Sequence, residues 1–355
     1  MKIAYYLHWN DVPESGVIKK IVHQITQWMN FDLDVKIFLL TQNENWNSAS
    51  IEIPFEARIY SNNLNRLINS YALVNQINTW SPDLIYTRYD LYNPVLELLI
   101  KIPMVMEINT DDLTEYSRGG FFRQLYNNLT RKHYLKMPNG LIFVTEEIAE
   151  RRHFKIGKKI KIISNGIEMQ LYTVLPPPKN QYPNLVFIGT EGQLWHGTDK
   201  IKALAQMFPN WLFHIIGNSS QQGMIRKDNI VYYPFLSKHD YQQIMAIADV
   251  AIGTLALHRI DMNQACPLKV REYLAYGLPV IIGYEDMDLK GFDGVLQIAN
   301  TPNNIYDYKE QIDEFVNQWM GKRINPQQLS IDAKEKEFER MEFFKEIVEQ
   351  RKTTV

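Results

Sequence analysis

Cysteine is almost absent from this chain: Cys266 is the only one in 355 residues. A single thiol builds neither an intrachain disulfide framework nor a multi-cysteine zinc site, so a reducing cytoplasm is the expected location. Long apolar runs are missing as well. No stretch approaches the 18 apolar residues of a membrane-spanning helix, and the opening run to Leu7 is too short for a signal-peptide core before His8 and Asp11. Neither sign of charge dominates. Lys plus Arg number 38 against 40 Asp plus Glu, a formal net charge of -2, which argues against a dedicated nucleic-acid binder. Glycine is scarce where a dinucleotide site would need it. The turn from His8 to the first helix offers Gly16 alone, so the three-glycine G-x-G-x-x-G fingerprint is missing and a nicotinamide enzyme is disfavoured.

What is present is the make-up of a soluble globular protein, with 45% apolar and 22% charged residues and a length suited to two domains. Short apolar runs alternate with longer amphipathic ones. Strands are expected over Lys2–Leu7, Asp34–Leu40, Asp83–Tyr86, Pro103–Ile108, Gly140–Val144 and Lys161–Ile163. Most are apolar on both parities, as parallel strands covered on both faces should be. A helix over Gly16–Met29 carries an Ile, Val and Trp stripe opposite Lys19, Lys20, Gln24 and Gln27. Four prolines within 171–184 block helix and interior strand, so this stretch reads as a linker.

Beyond the linker the alternation restarts. Strands are expected over Leu185–Ile188, Leu212–Ile216, Ile230–Tyr233, Val250–Ile252, Pro279–Ile282 and Val295–Ile298. Helices fall near Gly197–Met207, Asp240–Ala248, Leu268–Tyr276 and Ile305–Met320, and a final polar helix over Asp332–Arg351 spaces Phe338, Met341, Phe344 and Ile347 along one face. The expected architecture is α/β: two Rossmann-like domains, 1–170 and 185–325, facing a central cleft, with 326–355 returning to the first.

The run Cys266-Pro267-Leu268-Lys269-Val270-Arg271-Glu272-Tyr273-Leu274-Ala275-Tyr276-Gly277 carries the most specific chemistry. Pro267 suits the first helical position and Gly277 the helix end. The free N–H groups of Leu268 and Lys269, with the Lys269 charge, suit an anion, and Glu272 one turn on can reach sugar hydroxyls. Gly16 at its own helix start is equally a turn glycine or a place for close phosphate approach. The adjacent pair Asp111-Asp112 lacks the spacing of a D-x-D metal element; it is expected to cap the following segment, and no metal is assigned. His133 and His153 are expected to be solvated, and His214 to be a satisfied core histidine. Eleven basic residues from Arg118 to Lys161 face only Glu146, Glu147 and Glu150, which leaves two readings: a solvated face, or a surface for anionic lipid.

The run containing Lys269 and Glu272 resembles the donor-binding helix of family 4 glycosyltransferases, whose two-domain fold is called GT-B. The likeness extends in order along roughly residues 1–320. Pro103–Asn109 is similar to the family's P-x-V-x-E-x-N strand, Leu141–Glu146 to V-V-S-E, and Ile163–Glu168 to P-N-G-V-D. Val186–Gly189 with Trp195-His196-Gly197 is similar to its phosphate loop, and Phe213–Gly217 and Ala248-Asp249-Val250 follow in register. Two departures stand out: Gln264 occupies the first glutamate position of E-x7-E, and Thr190 and His196 stand near the phosphate loop's arginine and lysine.

The resemblance implies a retaining, metal-independent hexosyltransferase that uses a nucleotide sugar, of the UDP-glucose type, as its donor substrate and no separate cofactor. Its acceptor would be a saccharide, free or lipid-linked, in glycan assembly, and the location cytoplasmic or peripheral on the inner membrane face. It implies that Lys269, Glu272 and Asn109 serve the reaction. Gly16, Thr190, His196, Gly217, Phe235, Leu236, Gln264, Ala265, Cys266, Pro267 and Leu268 would line the donor, and Arg88, Glu107 and Asn109 the acceptor. Lys269 is expected to supply the missing cation, with His196 or Arg259 assisting. An ion pair between Glu107 and Arg88 is the structural alternative for those two. A silent glycan- or partner-binding subunit and a sugar-nucleotide epimerase stay open as alternatives.

Overall fold

The computed structural model describes residues 1–13, 15–47, 51–117, 120–217 and 223–354, and Arg118 of the basic run lies outside them. The chain forms two compact units, Met1–Ser164 with Ala333–Val355, and Asn165–Asp332. The first crossing therefore falls at Ser164/Asn165 rather than after 170, and the return at Asp332/Ala333 rather than at 326.

The first unit runs β1 (Lys2–His8), α1 (Gly16–Asn30), β2 (Asp34–Thr41), β3 (Phe55–Ile59), α2 (Asn63–Trp80), β4 (Leu84–Arg88), β5 (Met104–Ile108), α3 (Asp112–Ser117), α4 (Phe121–Tyr134), β6 (Gly140–Phe143), α5 (Glu146–Glu150) and β7 (Lys159–Ile162). Its seven strands are parallel in the order β3-β2-β1-β4-β5-β6-β7. The order reverses between β1 and β4, and ligands of open α/β sheets bind at the carboxyl ends beside such a reversal. α1 starts on Ser15, whose Oγ accepts from the Ile18 N–H at 3.4 Å, and its stripe of Ile18, Ile21, Ile25 and Trp28 is buried as the sequence pattern requires. β3 was not expected: Phe-Glu-Ala-Arg-Ile is half polar, and as an edge strand it needs no continuous apolar face.

The second unit runs β8 (Asn184–Ile188), α6 (Thr198–Met207), β9 (Leu212–Ile216), β10 (Ile225–Lys227), β11 (Ile230–Tyr233), α7 (Lys238–Ile247), β12 (Val250–Ile252), α8 (Leu268–Ala275), β13 (Val280–Ile282), β14 (Val295–Gln297), α9 (Asn304–Asp307) and α10 (Lys309–Trp319). Its sheet is ordered β10-β11-β9-β8-β12-β13-β14, and all neighbours are parallel except the short unexpected edge strand β10. Along β8, Leu185 and Phe187 enter the core cluster under α6 and α10, while Val186 enters the one under α8, the alternation that a strand covered on both faces shows. The proline-rich stretch 171–184 belongs to this unit rather than linking two domains. The Leu175 N–H donates to the Tyr276 carbonyl at 3.0 Å and its side chain is buried, so the segment is strapped over the end of α8.

α11 (Ala333–Thr354) packs in the first unit. Met341, Phe343, Phe344 and Ile347 are buried, whereas Phe338 is 51% exposed and only edges onto Phe31. A Cβ on Gly140 would come within 2.8 Å of both Ile347 Cδ1 and Phe343 Cζ, so β6 requires a glycine where α11 crosses it. The helix also brings two buried charges. Arg340 donates to Glu337 at 2.8 Å and to the Tyr86 hydroxyl at 3.0 Å, and the Trp28 indole donates to Glu337 at 2.7 Å.

The basic run is less exposed in charge than its sequence neighbours suggest, because its partners come from elsewhere. Arg131 forks onto Asp112 at 2.8 Å, Arg151 reaches Asp111 at 3.2 Å, and Lys159 and Lys161 meet Glu346 and Glu339 of α11 at 2.7 and 3.6 Å. His153 is not solvated but lies 3.0 Å from Asp111, while the more exposed His133 pairs with Glu97. Asp111 also caps α3 through the Leu113 N–H at 3.2 Å. One carboxylate oxygen from each of Asp111 and Asp112 and a ring nitrogen of His153 fall within 4.8 Å of one another. Arg131 and Arg151 already neutralise both carboxylates, and a cation would have to displace them. No helix of the described residues is long and apolar enough to cross a membrane.

Candidate functional site

In the second unit, the loops after β8, β9 and β11 leave the carboxyl ends of neighbouring parallel strands, and the start of α8 lies beside them. Gly189 and Gly217 end β8 and β9 and touch: a Cβ on Gly217 would lie 2.5 Å from the Gly189 carbonyl oxygen, and Gly217 has φ +99°. A Cβ on Gly189 would strike the Phe187 ring at 2.6 Å and His196 at 2.9 Å. Glycine is therefore obligatory at both positions, and the two strand ends close into a tight floor.

α8 is fixed above this floor by contacts that the sequence did not announce. The Tyr273 hydroxyl accepts from the Ile188 N–H at 2.7 Å, tying the helix to the end of β8. Buried Arg271 forks onto Asp286 at 2.8 and 2.9 Å, reaches Asp288 at 2.7 Å, and donates to the Asn165 carbonyl at 2.9 Å. Asn165 in turn donates its side-chain amide to the Cys266 carbonyl at 2.9 Å and its backbone N–H to the Cys266 sulfur at 3.3 Å. Ala265 donates to the Glu285 carbonyl at 3.1 Å, and Gln264 bridges to the same residue. The loop from Gln264 to Pro267 is thus held rigid from both sides. Pro267 stands at the N-cap position rather than inside the first turn, and Gly277 ends the helix with φ +84° as expected.

Lys269 is the focus of this arrangement. Its Nζ is shut off from solvent, has no hydrogen-bond partner among the described residues, and lies 4.3 Å from the Phe187 ring centroid. Burial pushes the ammonium down to about 7. His196, beside it, is pushed down to about 4 by burial and by the Lys269 charge, against the opposing contact of its Nδ1 with the Thr190 carbonyl at 3.2 Å. His196 is therefore neutral at neutral pH and adds no positive charge. Arg259 is not free to help either, since both terminal nitrogens are bound to Asp199 at 2.8 and 2.7 Å and one also to the Leu194 carbonyl at 3.0 Å. The expected trio reduces to one buried cation at the N-terminus of a helix.

Glu272, one turn on, accepts from the Tyr241 hydroxyl at 2.8 Å, and its charge together with burial raises the Tyr172 and Tyr276 hydroxyls, the latter to about 12. Phe235, just beyond β11, is 87% exposed, whereas Leu236 packs onto the core. His214 is buried with Nδ1 3.0 Å from the Tyr233 hydroxyl, but its Nε2 has no partner among the described residues, so it is only half satisfied there.

The first unit has a second polar cluster, at the carboxyl ends of β1, β4 and β5 beside the reversal of strand order. Glu107 is buried and bound by Lys20 at 3.1 Å, by the Tyr86 hydroxyl, and more distantly by Arg340 at 3.7 Å. Burial alone would raise its carboxyl, yet the charges of Lys20, Arg340 and Arg88 and the tyrosine bond outweigh burial and hold it well below the ordinary carboxylate range. Its ion pair is with Lys20 rather than Arg88. Lys20 also reaches Asn109 Oδ1 at 3.5 Å, which binds Glu107 and Asn109 into one unit. At the end of β1, His8 pairs with Asp90 through Nδ1 and lies 2.7 Å from the Tyr60 hydroxyl through Nε2. Sequence reasoning named Glu107, Asn109 and Arg88 but missed Lys20, His8 and Asp90; their places at or beside strand ends were the available signal. At Gly16 a Cβ would meet nothing within 4 Å, so the fold itself does not demand glycine there.

No protein-family model matches the sequence, and no curated protein matches it significantly. Solved structures do match over almost the whole chain. The lipopolysaccharide outer core galactosyltransferase WaaB superposes with a TM-score of 0.66 at 16% identity, covering 97% of this chain and 100% of that one. HepE from Anabaena, solved with UDP and glucose, gives 0.65 at 16% identity over 98% and 100%. Sucrose-phosphate synthase from Thermosynechococcus elongatus gives 0.65 at 14% identity over 99% and 98%. Two Rossmann-like α/β units of the GT-B type are thus the fold of this chain, shared with glycosyltransferases.

Proposed function

We propose that this chain is a glycosyltransferase that takes a nucleotide sugar in its second unit and an acceptor on its first. The observation that carries the reading is Lys269: a desolvated, unpartnered ammonium at a helix N-terminus, above a floor that only glycines can form. Such a site is costly when empty and complete when an anion enters, and the donor's diphosphate is that anion. The helix dipole and Lys269 would stabilise the diphosphate as it leaves, without requiring a metal. Thr190, Gly217, Gln264, Ala265, Cys266, Pro267 and Leu268 would line the donor. Glu272, steadied by Tyr241, would hold the ribose, and the exposed face of Phe235, with Leu236, would take the base. Exposure of a large aromatic ring at that strand end supports the last assignment.

The donor is proposed to be a UDP-sugar carrying a hexose or N-acetylhexosamine, and transfer to retain the anomeric configuration. The bond from the anomeric carbon to the diphosphate breaks, the acceptor oxygen bonds on the same face, and the acceptor's proton passes to the departing diphosphate oxygen. Asn109 and Glu107, aligned by Lys20, and Arg88 would position the acceptor, a saccharide that is free or lipid-linked.

Contact with an anionic membrane surface is part of the same proposal. α4 is built inside out: it buries Asn127, which bonds Asp112 at 2.7 Å and the Tyr89 hydroxyl at 2.8 Å, and it leaves Phe121, Phe122 and Leu129 71%, 84% and 73% exposed. Lys132 and His133 lie in its last turn. An apolar stripe flanked by basic residues suits a headgroup boundary.

A thermal-shift series with UDP, GDP and ADP, with and without magnesium, tests the central reading. UDP should raise the melting temperature by mass action whether or not magnesium is present. Indifference to all three nucleotides would overturn it.

A further inference from the structure

Arg88 and Trp9 stand at the carboxyl ends of β4 and β1, neighbouring strands on either side of the reversal of strand order. Neither is hydrogen-bonded into the network around Glu107, although the Arg88 charge helps to hold that carboxyl low. The Arg88 guanidinium lies 5.4 Å from the centroid of the Trp9 ring, a stacking that fixes its plane. Its Nη1 and the Trp9 Nε1 are both shut off from solvent, and neither has an acceptor among the described residues. Two orphaned donors on adjacent residues call for one ligand rather than two separate accidents of packing.

The charges say what kind of ligand. Around this point the cations are Lys20, Arg88 and Arg340, and the carboxylates are Glu107 and Glu337; at the end of β1, Asp90 is taken by His8, with Arg66 beside them. Lys20 is 3.1 Å from Glu107 and Arg340 is 2.8 Å from Glu337. Arg88 stands beside Glu107 in the strand register, yet no ion pair joins them. That leaves the cations one in excess, and Arg88 is the one with no carboxylate in direct ion-pair contact among the described residues, in surroundings where Lys20 is itself lowered by burial and by the charges of Arg88 and Arg340. A neutral hydroxyl could accept from the two donors but would leave that charge uncompensated. A carboxylate or phosphate oxygen answers both needs.

We propose that Arg88 and Trp9 form a subsite for an anionic group on the acceptor, a carboxylate such as a uronic acid bears, or a phosphate ester. The proposal rests on the reading that the first unit takes the acceptor, and it names the acceptor's chemical class.

Calorimetric titration of the full chain, saturated with UDP, with methyl β-glucuronide, glucose 6-phosphate and neutral methyl β-glucoside tests it. One of the two anionic probes should bind roughly tenfold tighter than the neutral one, and that margin should shrink with added salt. The tighter arm identifies carboxylate or phosphate. Arg88→Gln should remove the margin, while Trp9→Phe, which keeps a ring and deletes the donor, should weaken binding about threefold to tenfold. UDP affinity should stay unchanged in both variants. Equal binding of charged and neutral probes, no binding of any probe, or an unaltered margin in Arg88→Gln would overturn the subsite. Loss of UDP affinity in Arg88→Gln would overturn it too, by assigning the guanidinium to the donor. If Arg88→Gln fails to fold, Trp9→Phe and the salt titration of the unmodified protein still decide. Failure of the chain to bind UDP at all is read separately and counts against the glycosyltransferase reading instead.

Discussion

Replacing Lys269 by methionine should make the empty protein more stable and the loaded protein weaker. Methionine keeps the length and apolar stem and deletes the ammonium that burial lowers from 10.5 to about 7. At about 1.4 kcal/mol per unit, and with the folded lysine half protonated at pH 7, the resting protein carries an upper limit of roughly 4 kcal/mol from this one group. The sign follows from proton uptake. Between about 7 and 10.5 the unfolded chain binds the proton and the folded chain does not, so the lysine's penalty is full below 7 and disappears as pH rises towards 10.5. Urea unfolding of Lys269→Met should therefore show a gain of about 1–4 kcal/mol at pH 7 that shrinks at pH 9. UDP affinity should fall by roughly ten- to a hundredfold, the loss of a charge-assisted contact in a dry site. For the unmodified protein, UDP should bind more weakly as pH rises above 7. At pH 7 it should take up to about half a proton per site, read by calorimetry in buffers of different ionisation enthalpy. A variant that is less stable than the parent and binds UDP equally well would refute the reasoning, since Lys269 would then be a packing residue.

Glu272→Ala should weaken UDP binding about tenfold if the carboxylate holds the ribose, while uridine-free pyrophosphate, measured by the same calorimetry, keeps its affinity. Product NMR early in turnover should show the donor's anomeric configuration retained; an inverted product would end the same-face mechanism. Gly140→Ala should cost about 1–3 kcal/mol in urea unfolding, because the new methyl meets Phe343 and Ile347 of α11; an unchanged midpoint would mean that this helix does not seat tightly on β6. Phe122→Ser should reduce flotation with liposomes rich in anionic lipid without lowering UDP affinity, and equal flotation with neutral liposomes would remove the basic residues of α4 from the account.

The two-sheet fold was legible because its central strands are apolar on both parities and α1 carries a clean buried stripe behind a serine cap. The misses share one cause. β3 and β10 are short, polar edge strands whose ladder partners, not their own side chains, define them. The 171–184 segment reads as a linker since prolines exclude regular structure, but only the end of α8 reveals what Leu175 packs against. At the site, Lys269 and Glu107 stood out by their own chemistry, and the structure shows the Lys269 Nζ shut off from solvent and Glu107 buried against Lys20. Residues that act through a distant partner did not announce themselves: Arg271 looks like an ordinary helical arginine until Asp286, Asp288 and the Asn165 carbonyl converge on it. His196 was misjudged as a cation for the same reason, since neighbours set its protonation and its sequence surroundings do not.

The two units treat buried charge differently, and the difference bears on function. In the first, Glu107 is closed by Lys20 and Tyr86, and α11 supplies Arg340 and Glu337 to complete a network running to Trp28. Removing one member there leaves a buried charge unpaired, so the network behaves as a frame that fixes Asn109 and Lys20 at the strand ends. In the second unit, a comparable frame of Arg271, Asn165 and Tyr273 holds the loop before α8, yet Lys269 has no hydrogen-bond partner among the described residues. A rigid frame around one unsatisfied cation is what an anion site needs: the groups are already in place, and the ligand's charge relieves a penalty that the fold maintains. Arg88 on Trp9 repeats the pattern in the first unit, where the frame is complete and one guanidinium stands outside it. If both cations act this way, pairing either one artificially should stabilise the empty protein and displace its ligand.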